Sequence, residues 1–346
     1  MASVPTLSRG GDVSVQGTND DAQISKLSCA KLGYFKDEFI KYFVRRSSRR
    51  SPLINRGYFA RVLALRGLLE QFFDVVSRLD ASEGRQHVAQ VLSLGAGFDT
   101  TFFNIEAEDR SRARWFEVDF KEVTQRKAAI IAANAPLHEQ LGPNAKEKIH
   151  PGEGKVQTEA LSVLPADLRD VDGVESALLA SGFDPQLPTY VLAECVLVYM
   201  EAEESTALVR WLGKFLSTAA CIVYEQIKPG DAFGRQMLTN LECRGCPLRG
   251  LQATPDLAAH QLRFLKNGWQ RADAKDMSTI YRAYLDPTEK HRAERLEIFD
   301  EFEEWHMIQD HYCLVLAVND ASGVLHDFKF KQKVPIAAVP QFPRAD

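Results

Sequence analysis

The chain has 346 residues, a formal net charge of −5 and 45% hydrophobic residues. That is ample apolar material for a large core and too little basic charge for a general binder of nucleic acid or membrane surfaces. No apolar run reaches the ~18 residues of a membrane span, and the opening stretch MASVPTLSRGGDVSVQGTNDD lacks the apolar core of a secretory signal.

Taken in chain order, residues 1–22 are rich in Ser, Gly, Thr and Asp and read as a disordered tail. Apolar spacing predicts a helix from about Ile24 to Val44, marked by Leu27, Leu32, Phe35, Phe39 and Phe43. A second helix is expected from Asn55 to Leu79, marked by Phe59, Val62, Leu65, Leu69 and Phe72. The basic stretch RRSSRRSP joins them, and residues 23–80 form an N-terminal helical addition. VAQVLSLG and ARWFEVDF then read as strands, each followed by a helix, the first starting at Asp99. Residues 136–158 give no clear reading, which leaves the register of the third strand open. TYVLAECVLVYM and ACIVYEQI are buried strands with the amphipathic helix EESTALVRWLGKFL between them. Residues 231–247 and TPDLAAHQLRFLKNG read as helices, the latter ending at Gly268. An edge strand WQRADAKDM, one long helix TEKHRAERLEIFDEFEEWHMIQDH and a last strand YCLVLAVN complete a core over 81–330, followed by a tail over 331–346. Alternation of this kind implies an α/β fold with a mostly parallel sheet and helices on both faces.

In such sheets ligands sit beyond the carboxyl ends of the strands. There the sequence places LGAGFDTTF, where Gly95 and Gly97 let the backbone approach a ligand. Asp119 ends the next strand 24 residues after Gly95, suited to accept from both ribose hydroxyls of an adenosine, and Glu117 competes for that role. A dinucleotide fits this turn badly: Thr100 stands where a third small residue belongs, and Asp99 would face a diphosphate. S-adenosylmethionine carries no phosphate, and its cations tolerate a carboxylate. Asp99 is equally compatible with a helix N-cap. In ADLRD, Asp167 would accept from an adenine amino group with Leu168 against the ring, or would cap the helix near Val171. Glu194 interrupts an apolar strand and must face either a ligand or a buried Arg or Lys. Of six cysteines only Cys243 and Cys246 form a CxxC. No second pair stands at zinc spacing, so no metal is expected and the thiols read as reduced, in a cytoplasmic protein.

INRGYFARV (54–62), LGAGFDTTF, FEVDF, ADLRD and AECVLVYM together resemble the leucine carboxyl methyltransferase family, and KLGYFKDEFIKYFV resembles its N-terminal helix. The resemblance spans roughly residues 24–320. It implies a class I S-adenosylmethionine-dependent methyltransferase fold, Rossmann-like, with a helical lid. It implies methyl esterification of the C-terminal leucine of the protein phosphatase 2A catalytic subunit, which regulates holoenzyme assembly. By the same resemblance Lys26, Arg61, Gly95, Gly97, Asp119, Asp167, Leu168 and Glu194 contact the donor, and Tyr199 lies in the active site. A sister branch acting on a wybutosine precursor in transfer RNA carries a kelch β-propeller, and no kelch-like repeat is visible here, which favours the phosphatase branch.

A C-terminal carboxylate has a pKa of about 3.5 and is ionised at neutral pH, so no general base is required. The expected machinery is Arg61 with Lys26 as a carboxylate clamp and Tyr199 as an orienting hydroxyl; the alternative for Arg61 is a lid salt bridge. The basic run Arg45–Arg50 either touches an acidic partner surface or is solvated. A monomer with no nucleic-acid or membrane partner is expected. The competing readings are methylation of a small carboxylic acid or of a modified tRNA base, and a non-catalytic shield for the phosphatase tail.

Overall fold

The computed structural model describes residues 11–77, 88–107 and 113–335. Nine strands form one sheet: β1 (Ala89–Leu94), β2 (Ala113–Asp119), β3 (Ile149–His150), β4 (Lys155–Gln157), β5 (Leu161–Pro165), β6 (Thr189–Glu194), β7 (Thr218–Gln226), β8 (Arg271–Asp276) and β9 (Tyr312–Asp320). Their order is β3-β4-β5-β2-β1-β6-β7-β9-β8. The five central strands from β5 to β7 run parallel, while β3, β4 and β9 pair antiparallel at the flanks. This is the expected α/β, Rossmann-like sheet. Strand order reverses between β1 and β6, so their carboxyl ends open a crevice at the switch point.

Two helices precede the sheet, α1 (Asp12–Lys31) and α2 (Pro52–Val76). Within and after the parallel strands come α3 (Thr101–Ala107), α4 (Lys121–Ala133), α5 (Ala135–His138), α6 (Val171–Ala180), α7 (Ala202–Phe215) and α8 (Ala232–Cys243). The last four are α9 (Leu257–Leu265), α10 (Met277–Ala283), α11 (Pro287–Glu294) and α12 (Phe302–Asp310). The strands are near-continuous apolar runs because helices cover both faces; every residue of β1 and of β7 is buried. One core face is built from Val91, Trp115 and Tyr190 against Phe59 and Phe72 of α2. The other is built from Leu92, Phe116 and Val223 against Leu208 and Leu212 of α7. Among the described residues no helix is long and apolar enough to cross a membrane.

Three expectations are corrected. The first helix begins at Asp12 and ends at Lys31, so residues 12–22 are helical rather than a disordered tail. That half of α1 is polar and is held by ion pairs to the core, a signal composition does not carry. After Gly33 (φ +84°) the chain leaves the helix. Phe39 and Phe43 reach Phe98 and Phe103 from an irregular segment, with ring centroids 5.7–6.2 Å apart. Finally, the long C-terminal helix is two helices, broken between Glu294 and Phe302. The break turns Glu297 inward, where it accepts from Tyr34 Oη (3.1 Å), Asn55 Nδ2 (2.9 Å) and Arg49 (2.8 Å). It also lays Phe299 against the Arg56 guanidinium, 3.7 Å from the ring centroid. These contacts bind the break to the start of α2. The unassigned stretch 136–158 holds α5 and the β3–β4 hairpin, which pairs with β5 and extends the sheet.

Candidate functional site

A cavity of about 630 Å³ lies over the switch point, walled by the ends of β1, β2 and β6, by the loop after β5, and by α1 and α2. Its floor is the turn after β1. Gly95 (φ +61°) and Gly97 (φ +52°) both sit in the left-handed region that side chains disfavour. A Cβ on Gly97 would come within 2.5 Å of Asn19 Oδ1, so the glycine also makes room for α1. Asp119 closes the floor, accepting from the Gly97 N–H and the Phe120 N–H, both at 2.7 Å. Burial pushes its carboxyl up to about 6 against those two amide donors and the pull of Lys127, and among the described residues it forms no ion pair. Glu117 does not share this role: it is 2% exposed and forms an ion pair with Lys127 Nζ at 2.5 Å.

A charged layer sits above the floor. Arg61 donates from Nε to Glu194, and Lys26 lies 3.8 Å from Glu194 and 3.4 Å from Asp99. Burial would lower the Lys26 pKa, but Glu194 and Asp99 outweigh it and hold the ammonium well above its ordinary value. Burial likewise works against the charge on Arg61, and Glu194 more than offsets it. Tyr58 and Tyr224 flank the guanidinium at 5.4 and 4.5 Å from their ring centroids, and Tyr224 stacks on Tyr312 at 5.3 Å. This packing fixes the plane of the Arg61 fork. Asp99 bonds the Thr100 N–H (2.9 Å) and Thr101 Oγ1 (3.1 Å) instead of capping a free helix start, and its backbone carbonyl accepts from Lys127 Nζ.

The remaining walls come from the loop after β5, the turn after β6 and α1. Asp167 lines the cavity, and both its oxygens take Arg169 Nε, at 2.9 and 3.0 Å. It does not cap the next helix; Asp170 does, accepting from Gly173 N–H. Leu168 lies beside it, 8% exposed. The turn after β6 starts at Cys195 in a left-handed conformation (φ +57°) and carries Tyr199 into the cavity wall. Burial raises the Tyr199 pKa, so its hydroxyl stays protonated. All eight residues expected at the donor and Tyr199 therefore line one cavity.

A family model for leucine carboxyl methyltransferases matches residues 15–213. The leucine carboxyl methyltransferase 1 homolog of Arabidopsis thaliana is 49% identical over 326 residues, covering 94% of this chain and 95% of that protein. The chain belongs to the leucine carboxyl methyltransferase family. It is a methyltransferase, with the class I fold its sheet order describes. Leucine carboxyl methyltransferase 1 of Bos taurus is 37% identical over 313 residues, covering 90% of this chain and 91% of that protein. The tRNA wybutosine-synthesizing protein 4 of Homo sapiens is 40% identical over 318 residues, covering 91% of this chain and 45% of that protein.

Sequence reasoning missed part of the lid. Asn19 Oδ1 accepts from the Phe98 N–H at 2.9 Å, and Arg169 joins Asp12 to Asp167 with bonds of 2.6–3.1 Å. Asp20 pairs with Arg126 at 2.8 Å, and Asp21 pairs with Arg244. Local spacing holds no trace of the partners of Asp12, Asn19, Asp20 and Asp21, which lie more than 70 residues away. Tyr58, inside INRGYFARV, was within reach of the motif reading. Arg49 and Arg50 of the basic run are engaged within the chain, with Glu297 and with Ser25 and Asp21. Among the described residues no group of three or more His, Cys, Asp or Glu is placed to hold a metal.

Proposed function

We propose that this methyltransferase transfers the methyl group of S-adenosylmethionine to the α-carboxylate of the C-terminal leucine of the protein phosphatase 2A catalytic subunit, and thereby regulates holoenzyme assembly. The observation that carries this reading is the Arg61 fork at the switch point, packed against the rings of Tyr58 and Tyr224 and pinned through Nε by Glu194. The described hydrogen bonds of Arg61 use only Nε. The Nη groups are then the donors suited to a carboxylate.

The cavity fits the donor. Its two positive-φ glycines remove Cβ atoms from the floor. Asp119, half-buried and in no described ion pair, is a carboxylate suited to accept from ribose hydroxyls. Its volume of about 630 Å³ suits a nucleoside-sized ligand with the end of an acceptor chain. Bound there, the donor supplies an electrophilic methyl group on a positively charged sulfur. Lys26 and Arg61 would hold carboxylate groups, Glu194 would face cationic ones, and Tyr199 would orient the acceptor with a protonated hydroxyl. The charged layer pairs two cations with two carboxylates, so an incoming carboxylate meets a neutral site and is not clamped too tightly. No histidine stands among the described residues that line the cavity. That suits an acceptor already ionised at neutral pH, for which positioning supplies the rate. The net charge of −5 and the higher identity to the Arabidopsis relative favour a protein carboxylate over transfer RNA.

The test is transfer of labelled methyl from S-adenosylmethionine to purified phosphatase 2A catalytic subunit, beside the same subunit lacking its terminal leucine. Label on the intact subunit alone, released by mild base as an ester is, supports the reading. Label on both moves the acceptor elsewhere. Label only on transfer RNA carrying the wybutosine precursor, or only on small acids, overturns it.

A further inference from the structure

The turn after β6 is held from a direction the site itself does not reveal. Glu225 lies on β7, fully buried, with its side chain on the opposite face of the sheet from its neighbours Tyr224 and Gln226. It does not line the cavity. Its Oε1 accepts from the Val198 N–H at 2.7 Å, a hydrogen bond between residues 27 apart in sequence. Among the described residues its Oε2 is buried without a hydrogen-bond partner. The Val198 carbonyl is held from outside the sheet, accepting from the Gly250 N–H at 2.9 Å. Both backbone polar groups of Val198 are thus fixed, and the next residue is Tyr199. A charge buried this deeply is costly unless it is used, and the hydrogen bonds described for the carboxylate all go to this turn.

We propose that Glu225 is a positioning residue for methyl transfer: by gripping the Val198 amide it fixes the turn Val196–Met200, and so aims Tyr199 at the acceptor. This rests on the reading that Tyr199 faces the acceptor. A carboxylate makes a shorter, stronger bond to an amide than a neutral acceptor does. The groups facing it are Arg263 and His260 from α9, Cys313 from β9 with Asp276 beyond it on β8, Cys221 on its own strand, and Cys195 at the start of the turn. Burial and Arg263 push His260 down to about 3, so Arg263 is the cation of this group at working pH. Burial pushes the Glu225 carboxyl up to about 6 against the pull of Arg263 and the turn amides. Protonation below that value turns a charged grip into a neutral one.

The experiment compares wild type with Glu225→Gln, which keeps an acceptor oxygen but never a charge, and with Gly250→Ala. The alanine Cβ would press on the same turn at 3.0 Å from the Leu197 carbonyl and 3.1 Å from that of Met200. Glu225→Gln should lower kcat about tenfold, as a small misplacement of a reacting group does. Donor affinity by calorimetry should be unchanged. At saturating donor, wild-type kcat should fall as pH drops through about 6, and the Gln variant should lack that step. Asp119 titrates in the same range but would appear in the Michaelis constant for the donor. Amide exchange at Val198 should quicken in both variants. Glu225→Gln with wild-type kcat and an unchanged pH profile overturns the proposal, as does parallel loss of kcat and donor affinity in both variants. If wild type binds the donor but esterifies no carboxylate, the acceptor reading fails instead, and Val198 exchange still reports whether Glu225 holds the turn.

Discussion

The floor and the lid of the cavity are held by different forces. On the floor, Asp119 binds two backbone amides and the glycine turn hangs from β1 and β2, with Gly95 and Ala96 donating to the Val118 carbonyl at 2.8 and 3.2 Å. The lid's first half touches the core through Asp12–Arg169, Asp20–Arg126 and Asp21–Arg244, pairs between side chains that are in two cases about half exposed. Sheet hydrogen bonds open only with the core, whereas exposed ion pairs are worth about 0–1 kcal/mol each and weaken with salt. The difference teaches that the cavity has a rigid base and a cover that loosens cheaply, as a site that must admit and release ligands requires.

The sharpest way to break that contrast is at the charged layer where the two parts meet. Arg61→Ala leaves Glu194 with Lys26 alone at 3.8 Å. The fork that would hold the carboxylate is lost as well, and a hundredfold or greater fall in kcat/KM is expected, about 2.7 kcal/mol of transition-state stabilisation. Arg61→Lys should recover little, because a single ammonium cannot replace the fork. Steady-state transfer rates decide, and near-normal Arg61→Ala activity would remove the clamp from the account.

On the floor, Gly97→Ala forces a side chain into a left-handed conformation at a cost of about 1–2 kcal/mol. It also drives a Cβ to 2.5 Å from Asn19 Oδ1, so floor and lid should suffer together. Donor affinity by calorimetry should drop about tenfold for ~1.4 kcal/mol, with faster amide exchange along residues 12–22. An intact lid in this variant would show that the two regions are not in contact as described.

Acidity separates the regions further. The Asp119 carboxyl sits at about 6 in the fold against an ordinary 3.8. Because the folded value is raised, its contribution to stability is present at low pH and is lost as pH rises through about 6. Donor affinity should run the other way, rising over the same range as the carboxylate forms to accept ribose hydroxyls. Opposite slopes in thermal unfolding and in donor binding, both flattened in Asp119→Asn, are expected; parallel slopes would argue against a ribose partner. The smallest effect belongs to the lid surface. Arg126→Ala should cost under about 1 kcal/mol of stability and leave floor binding intact, while quickening exchange in the first half of α1.

The same contrast explains what the sequence disclosed. The sheet was legible because apolar runs such as ACIVYEQI have few other solutions, and the floor was legible because positive φ demands glycine at 95 and 97. Glu194 stood out as a charge in an apolar strand, and its Arg partner was one of the two alternatives that charge allowed. Glu225 carries the same signal in YEQI and was passed over, since nothing local pairs it with Val198. The first half of α1 was hidden because its stability comes from arginines at 126, 169 and 244 rather than from its own composition. The break between α11 and α12 was hidden for a like reason: helical spacing continues through it, while Glu297 finds its partners on α2 and near it.

The most direct test of the site is calorimetric titration of S-adenosylhomocysteine, the demethylated donor, into wild type and Asp119→Asn near neutral pH. The account predicts one molecule bound per chain, with affinity cut by about tenfold or more in the variant as hydrogen bonds from ribose to the carboxylate are weakened. No binding to wild type, or equal binding to both proteins, would contradict it.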